Sequence, residues 1–199
     1  MSEARDHILA SIRTGLGTKR AAPAYTFPAF SEDAVSRFIT KARASVAEVD
    51  LIGSTDEAPA AILAILAKAN ARPRLHIPVG SALRDLPWGR TPGLTIEMGP
   101  PTGEDAALSA ADYAIAETGT LVFFSGALKP SSWHFRPGRE IVLVRRGAIL
   151  RQFEDVIALL RTMPATLNLI TGPSRTADIE QTIELGAHGP RHLNILLAG

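Results

Sequence analysis

Residues 140–197 have the sequence EIVLVRRGAILRQFEDVIALLRTMPATLNLITGPSRTADIEQTIELGAHGPRHLNILL. The stretch contains three short apolar runs that are bounded by glycine, proline or charge, as β-strands are. These runs are residues 140–144, 166–170 and 192–197. Between them, residues 153–163 and 176–185 carry apolar side chains at helical spacing. Strands that alternate with helices favour parallel pairing through right-handed crossovers, so the stretch predicts an α/β fold with a mostly parallel sheet.

Upstream of this stretch, helices and further short strands are expected. Apolar residues recur every four positions over residues 8–16 and predict a short amphipathic helix, which a proline-containing connector follows. Residues 31–49 hold an apolar stripe behind a Ser-Glu-Asp cap, and residues 60–71 are apolar on most of their circumference, so both predict helices. We expect residues 1–30 to form an N-terminal helix and extended connector, and residues 31–199 to form a single α/β domain.

The middle of the chain differs from both ends because its strands have no helices between them. Apolar runs at 75–79, 94–98 and 120–124 predict strands. From Ile115 to Val144 no helical pattern intervenes, which predicts an antiparallel hairpin or a small side sheet.

Composition excludes several kinds of chemistry. The 199 residues include no cysteine, which removes thiolate nucleophiles, disulfides and cysteine-held iron–sulfur clusters. Lysine and arginine total 21 against 20 acids, a net charge of +1, so no nucleic-acid footprint is expected. Between Lys129 and Arg151, six basic residues accompany one acid, Glu140. A solvated strand face is the favoured interpretation of this excess, and an anion-facing rim is the alternative.

The chain start and its apolar runs predict no membrane segment. Acids and bases are mixed from residue 3 onward, so no signal peptide is expected. The longest apolar run has eight residues, whereas a spanning helix needs about 20. We therefore expect a cytoplasmic protein. The five histidines are scattered without metal-ligand spacing, and a solvent-facing or structural role is favoured for each.

Residues 168–180, NLITGPSRTADIE, form the first candidate site. The pattern predicts a strand that passes through a Gly-Pro turn into a helix whose first turn holds Ser174, Arg175 and Thr176. Free amides at such a helix start, at the carboxyl end of a strand, suit an anion, and Arg175 would clamp a carboxylate or phosphate. In the alternative interpretation, Ser174 or Thr176 merely caps the helix and Arg175 pairs with Asp178.

The second candidate site is the acid in AIAETGTLVFF, residues 114–124. Glu117 precedes a Thr-Gly-Thr turn at the end of a strand. It could perform acid–base work, accept hydrogen bonds from turn amides, or be an ordinary turn acid. His188 lies in a Gly-Pro turn before the last strand, and a structural role is favoured for it.

Two of these motifs carry a family resemblance. With ADYAIAETGTLVFF at 111–124, ITGPSRTADIEQTIELGAHGP at 170–190 and the closing apolar strand, residues 30–199 resemble the lactate-utilisation protein C family of LUD-domain proteins. The resemblance implies a three-layer α/β/α sandwich like that of the NagB/RpiA/CoA-transferase group. It also implies a role in oxidising L-lactate to pyruvate with partner subunits that carry iron–sulfur clusters, so that this chain binds no cofactor itself.

The carry-over to individual residues gives the candidate site. Glu117 is the candidate catalytic residue. The candidate anion- or substrate-binding residues are Thr118, Gly119, Thr120, Gly172, Ser174, Arg175 and Thr176. Structural support is assigned to Asp178, Glu180, His188 and Gly189. The stretch SSWHFRP, residues 131–137, departs from the family pattern at Trp133, His134 and Arg136, so residues 133–136 are expected to alter a ligand or partner surface.

Three functions follow from these observations. In the first, the chain is a subunit of a lactate-oxidising system and supplies a site for a small anion such as lactate, whether or not it is itself catalytic. In the second, it is an independent enzyme like the CoA transferases or formyltetrahydrofolate cyclo-ligases. In the third, it binds an anion for regulation without chemistry.

Overall fold

The computed structural model describes residues 2–16, 30–126, 128–177, 183–186 and 188–199. The chain divides into two compact units, one up to Ser31 and one from Glu32 to Gly199. The first unit holds helix α1, Ser2–Gly15, in agreement with the helix predicted over residues 8–16. No helix in the described ranges is long and apolar enough to cross a membrane.

The second unit contains three α-helices and twelve strands among its described residues. The helices are α2 (Ala34–Ala44), α3 (Ala58–Lys68) and α4 (Phe153–Leu159). The first six strands are β1 (Glu48–Ile52), β2 (Arg74–His76), β3 (Thr95–Glu97), β4 (Ala106–Ala110), β5 (Tyr113–Ile115) and β6 (Thr120–Phe124). The last six are β7 (Arg139–Arg145), β8 (Ile149–Leu150), β9 (Leu167–Ile170), β10 (Arg175–Ala177), β11 (Ile183–Leu185) and β12 (His192–Ala198).

The main sheet has six strands in the order β1-β12-β7-β4-β2-β3, and every neighbouring pair is parallel. The predicted α/β class with a mostly parallel sheet is therefore confirmed. On one face, α3 packs Ile62 and Leu66 against Leu108, Ile141 and Leu196 of the sheet. Because both faces of β7 are covered, its five central residues are all buried.

The predicted side sheet is also present. Strands β5 and β6 form an antiparallel hairpin inside a four-stranded sheet of order β8-β5-β6-β9. The assignment of residues 166–170 to the parallel sheet was wrong, because β9 pairs antiparallel with β6. There Leu167 of β9 packs against a small core that contains Val122 and Val156. This second core buries apolar side chains of β9, so the strand does not need a place in the main sheet.

The helix predicted over residues 176–185 was also wrong. Its two ends form strands β10 and β11, which pair antiparallel with Arg175 opposite Leu185. The segment is rich in β-branched residues and offers only Ile179 and Ile183 as a helical stripe, too little apolar surface to hold a helix against the domain. As a result, Ser174, Arg175 and Thr176 do not begin a helix, and the proposed cradle of helix amides is absent.

The helix predicted over residues 31–49 is shorter than expected. Asp33 caps α2 by accepting a hydrogen bond from the Ser36 amide at 3.0 Å, and the helix ends at Ala44. The Ala47 amide then donates back to the Ala42 carbonyl while Val46 adopts φ +67°. This left-handed residue turns the chain into β1, where Val49 joins the sheet core instead of a helical stripe.

A buried carboxylate fixes the start of β4. The Thr102 amide and hydroxyl donate to Asp105 Oδ2 at 2.9 and 2.7 Å, and Arg74 Nη2 donates to Asp105 Oδ1 at 2.5 Å. Burial raises the pKa of Asp105, but the hydrogen bonds from Thr102 and Arg74 outweigh it and hold this pKa at about 2. The charged carboxylate thus ties β2 to β4.

Asp105→Asn tests this contribution. Because the folded pKa lies below the ordinary 3.8, the stabilisation is complete above about pH 4 and is lost as the pH falls towards 2. We expect wild type to lose about 2 kcal/mol of unfolding free energy over that interval through this carboxylate, and the variant to lack this loss. Urea unfolding at pH 6, 4, 3 and 2 measures it, with exposed Asp85→Asn as the control. Equal acid sensitivity of wild type and Asp105→Asn would contradict the assignment.

Candidate functional site

A cleft of about 890 Å³ opens at the carboxyl edge of the main sheet. It is lined by residues that end or follow four parallel strands: Gly53 after β1, Ala110–Asp112 after β4, Arg145–Arg146 after β7 and Ala198–Gly199 after β12. In open α/β sheets, ligands bind outside the carboxyl ends of the strands. The cleft is therefore the candidate functional site of the domain.

Three cations lie on the rim of the cleft. Lys129, Arg145 and Arg146 line it, with Arg145 and Arg146 exposed at the end of β7. Lys129 Nζ pairs with Asp112 Oδ1 at 2.5 Å, and Asp112 Oδ2 accepts a hydrogen bond from the Phe124 amide at 2.8 Å. The basic excess predicted from the sequence is thus not a solvated strand face, since the middle of β7 is buried. Three of its cations line the cleft instead, and the alternative of an anion-facing rim stays a prediction.

A buried polar cluster lies beside the cleft. Glu140, fully buried on β7, accepts hydrogen bonds at Oε1 from Ser109 Oγ and from His134 Nδ1, both at 2.6 Å. The Phe123 ring lies against the His134 ring with centroids 4.0 Å apart. A carboxylate on Nδ1 makes that nitrogen the donor, which leaves Nε2 to exchange a proton with a ligand.

A small cavity connects this cluster to the cleft. It measures about 40 Å³, is lined by Ser109, Trp133 and His134, and shares Ser81 and Lys129 with the larger cleft. Among the described residues, the buried Trp133 Nε1 and Glu140 Oε2 have no hydrogen-bond partner. Trp133 lines the cavity, whereas Glu140 lies behind Ser109 and His134. Since buried polar atoms are normally satisfied, the Trp133 N–H is a candidate donor to a water molecule or to the polar end of a ligand in the cavity.

Sequence reasoning missed this cluster. It favoured a solvent-facing or structural role for His134 and treated Glu140 only as a counter-charge, whereas both side chains are buried and bonded to each other. One signal was available: in EIVLV the acid opens an otherwise apolar strand of a sheet predicted to be covered on both faces. The divergent stretch at 133–136 therefore places Trp133 and His134 in the interior.

The two signature motifs meet at the carboxyl end of α2. Gly119, with φ +73°, lies so close to the helix that an added Cβ would be 2.3 Å from the Ala42 nitrogen. Gly172, with φ +76°, lies against the end of the helix, where an added Cβ would be 2.1 Å from the Ser45 carbonyl oxygen. Both positions therefore require glycine for the turns to pack on the helix backbone.

Side chains of the same motifs connect the two turns. Thr120 Oγ1 lies 2.7 Å from Thr118 Oγ1 and 2.6 Å from Thr171 Oγ1, which links the β5–β6 turn to the end of β9. The exposed Arg175 donates from Nη2 to the Ser45 carbonyl oxygen at 3.2 Å. A cation at a helix carboxyl end complements the helix dipole. Glu117 is exposed, and its amide donates to the Arg151 carbonyl at 3.0 Å.

The remaining predicted residues are spread over the same region. The Ser174 amide donates to the Pro190 carbonyl at 2.8 Å, and Gly189 lies against the Ser174 side chain. His188 is exposed, and Thr176 belongs to β10. Asp178 and Glu180 lie outside the described residues. None of the predicted site residues within the described ranges lines the carboxyl-edge cleft. Their catalytic and anion-binding roles stay predictions.

No group of three His, Asp or Glu side chains in the described part of the chain is arranged to hold a metal ion. The cleft, at about 890 Å³, is much larger than the cavity of about 40 Å³ at His134, and its rim carries basic side chains.

Comparison with known proteins identifies relatives for this architecture. Residues 103–198, from the start of β4 to the end of β12, match the LUD domain model. A DUF162 family protein from Deinococcus radiodurans, known from its crystal structure, superposes with a TM-score of 0.64 at 26% identity and covers 86% of this chain and 100% of that one. The fold read from the sequence is thus that of a solved relative.

Curated relatives match a shorter region. An uncharacterized protein of Neisseria meningitidis serogroup B is 38% identical over 99 residues, which cover 48% of this chain and 42% of that protein. Lactate utilization protein C of Geobacillus sp. strain WCH70 is 32% identical over 93 residues, and the uncharacterized protein YkgG of Escherichia coli K12 is 34% identical over 87 residues. The latter two matches span 39% and 38% of the relatives' lengths, so the chain matches about two fifths of each curated relative.

The packing of the signature glycines is tested by Gly119→Ala. The new methyl group would contact the α2 backbone at a left-handed residue, so we expect a loss of about 3 kcal/mol or more in unfolding free energy. Gly89→Ala is the matched control, because no atom lies within 4 Å of the position of its added Cβ. Urea unfolding measures both, and a Gly119→Ala protein as stable as the control would contradict the close approach.

Proposed function

We propose that this protein acts in lactate utilisation by binding a small carboxylate in the carboxyl-edge cleft. The proposal is supported by the match of residues 103–198 to the LUD domain model and by similarity to relatives named lactate utilization protein C. The observation that carries the proposal is the basic rim of that cleft, which shares lining residues with the small cavity at His134. Curated relatives named for lactate utilisation support the role, and the cleft supports its location.

The rim supplies the charge that a carboxylate needs. Arg145 ends β7 and Arg146 follows it directly, so the sheet holds their backbone while their side chains reach solvent. Guanidinium groups bind carboxylates through paired hydrogen bonds. Lys129 is already matched by Asp112, which leaves the two arginines as the main attraction for an incoming anion.

The buried His134–Glu140 pair would accept a proton from the ligand. Oxidation of L-lactate to pyruvate breaks the O–H and C2–H bonds, forms the C=O bond, and releases two electrons and two protons. With its Nδ1 bonded to Glu140, His134 would accept the hydroxyl proton at Nε2 from a ligand whose carboxylate meets the rim. The two electrons and the second proton would leave with the partner proteins.

We propose that iron–sulfur partner subunits take these electrons, as the family resemblance implies. The 199 residues contain no cysteine, so they supply no thiolate ligand for such a cluster. The chain would then bind and orient the hydroxy acid while its partners supply the electron carriers, an arrangement suited to the cytoplasm.

The motif residues give a competing location for the anion. Arg175 is exposed, and Glu117 and Thr118 are exposed near the same end of α2. Arg175 uses Nη2 to donate a hydrogen bond to the Ser45 carbonyl oxygen, and its other guanidinium nitrogens could still bind a carboxylate. The cleft is favoured because Arg145 and Arg146 lie at the carboxyl edge of the sheet beside a large concave space, whereas Arg175 contacts a backbone carbonyl at the surface.

Calorimetry with L-lactate distinguishes the two locations. We expect the Arg145→Gln/Arg146→Gln protein to bind about 10- to 100-fold more weakly than wild type, because charged hydrogen bonds to the carboxylate are lost. The Arg90→Gln/Arg161→Gln control removes the same charge from exposed positions outside the cleft and should bind normally. Loss of affinity only in Arg175→Gln would move the site to the signature motifs. Absence of lactate binding by wild type would argue against the proposed ligand.

Isolation of the tagged chain from lactate-grown cells tests the partners. We expect iron and lactate-dependent dye reduction in the eluate but not in the purified chain alone. A His134→Gln chain should recover the same iron content while lowering dye reduction about 100-fold, if His134 accepts the proton. An eluate without iron or activity would favour an independent enzyme or a regulatory binding protein. Full activity of the His134→Gln complex would exclude His134 as the base.

A further inference from the structure

A second pocket lies at the opposite edge of the main sheet. Its volume is about 190 Å³, and it is formed where β2, β4, β7 and β12 begin. Arg72, Arg74, Arg139 and Arg191 line it together with His192. These side chains come from three separate segments of the domain, at the starts of β2, β7 and β12. Neither the proposed function nor the candidate motif residues use this pocket.

The charges in this pocket do not cancel. Its two lining acids are Glu104 and Asp105, against four arginines. Asp105 is matched by Arg74, since Arg74 Nη2 donates to its Oδ1. Arg72, Arg139 and Arg191 then face Glu104 as the remaining carboxylate of the lining. The end of α3 at Ala69 adds about half a negative charge from the helix dipole, which still leaves a positive pocket.

The next acid beyond the lining is Glu48 on β1. It acts on both Arg139 and His192 at a distance, but its Oε2 lies 3.4 Å from Lys68 Nζ, so its charge is shared with a lysine. With Lys68 and Glu48 included, the cations of this edge still outnumber its acids.

Two of the arginines are held in position. Arg139 Nη1 donates to Asn194 Oδ1 at 2.6 Å, and Asn194 is almost fully buried on β12. This neutral partner does not compensate the charge of Arg139. Burial lowers the pKa of its guanidinium, and Glu48 at a distance opposes that shift. The stem of Arg191 lies across Gly186, where an added Cβ would be 2.1 Å from Arg191 Cγ. Side chains fixed before binding lose less entropy when a ligand arrives.

The burial and the charged side chains of this pocket shift the pKa of His192. Burial lowers its pKa most, Arg139 lowers it further, and Arg191 adds to the effect, while Glu48 opposes them. An anion bound among these groups would oppose the effect of the arginines and raise the pKa of His192, because a nearby negative charge favours the charged imidazolium.

We propose that the amino-edge pocket binds a phosphate-type dianion, either inorganic phosphate or the phosphate of a phosphomonoester. Three guanidinium groups that approach from different segments match a tetrahedral group with several acceptor oxygens better than a planar monocarboxylate, and a dianion better compensates their charge. The pocket volume accommodates a phosphate group with part of a small organic ligand. This site is separate from the carboxyl-edge cleft and does not depend on lactate binding there.

Proton NMR of the His192 imidazole in the full chain tests the proposal. Its resonances are assigned by comparison with a His192→Gln protein. Inorganic phosphate should raise the pKa of His192 and saturate with a Kd below about 1 mM. Sodium chloride at the same ionic strength should cause no saturable shift, and sodium lactate should not compete. A parallel titration with glycerol 3-phosphate shows whether a phosphomonoester binds more tightly than free phosphate.

Matched variants show whether the arginines form the site. Arg191→Gln and Arg72→Gln should each weaken phosphate binding at least 10-fold, whereas Arg90→Gln, an exposed position elsewhere, should not. Thermal melting confirms that the variants are folded. The proposal is overturned if phosphate leaves the His192 titration unchanged, if chloride reproduces the shift, or if the Arg191→Gln and Arg72→Gln proteins respond like wild type. None of these outcomes depends on whether the chain binds lactate.

Discussion

The burial of β7 on both faces is the constraint on which the other features of the domain depend. A strand between β4 and β12, covered by α3 on one side, cannot expose charge along its length. Its basic residues are therefore found at its two ends, Arg139 at the start and Arg145 at the finish. The one charged side chain in its interior, Glu140, is bonded to His134 and Ser109. The same strand thus contributes to the cleft, to the opposite pocket and to the buried pair.

The signature motifs have a structural explanation in the packing around α2. Gly119 and Gly172 let two turns approach the helix backbone, and Thr120 and Thr171 join these turns by their hydroxyl groups. Arg175 adds a cation at the helix carboxyl end. This arrangement holds the four-stranded side sheet against α2. The motifs therefore stabilise the packing of that sheet on the helix, whatever further role Glu117 or Arg175 has.

The sequence predicted the parts of the fold that depend on local periodicity. Helix α3, predicted over residues 60–71, and strands β2, β3, β7 and β12 were found because their apolar patterns are long or sharply bounded. Strands β1 and β4 of the main sheet were not predicted. The hairpin of β10 and β11 was missed because Ile179 and Ile183 are four residues apart, a spacing that fits a helix as well as a longer hairpin. The placement of β9 beside β6 was missed because strand pairing is decided by contacts distant in sequence.

The candidate site was harder to predict for the same reason. The three rim cations appeared in the sequence as a charge excess, but only the topology shows that Arg145 and Lys129 reach one cleft. His134 and Glu140 are six residues apart on a short helical turn and a strand, and no motif announces their contact. The burial of Glu140 has one more consequence, for the alignment of the strands. If β7 slipped by one residue against β4 and β12, this carboxylate would face the aliphatic layer of α3, and Ile141 would take its place beside His134. The hydrogen-bonding partner of Glu140 therefore selects one register among those that the apolar pattern alone would tolerate.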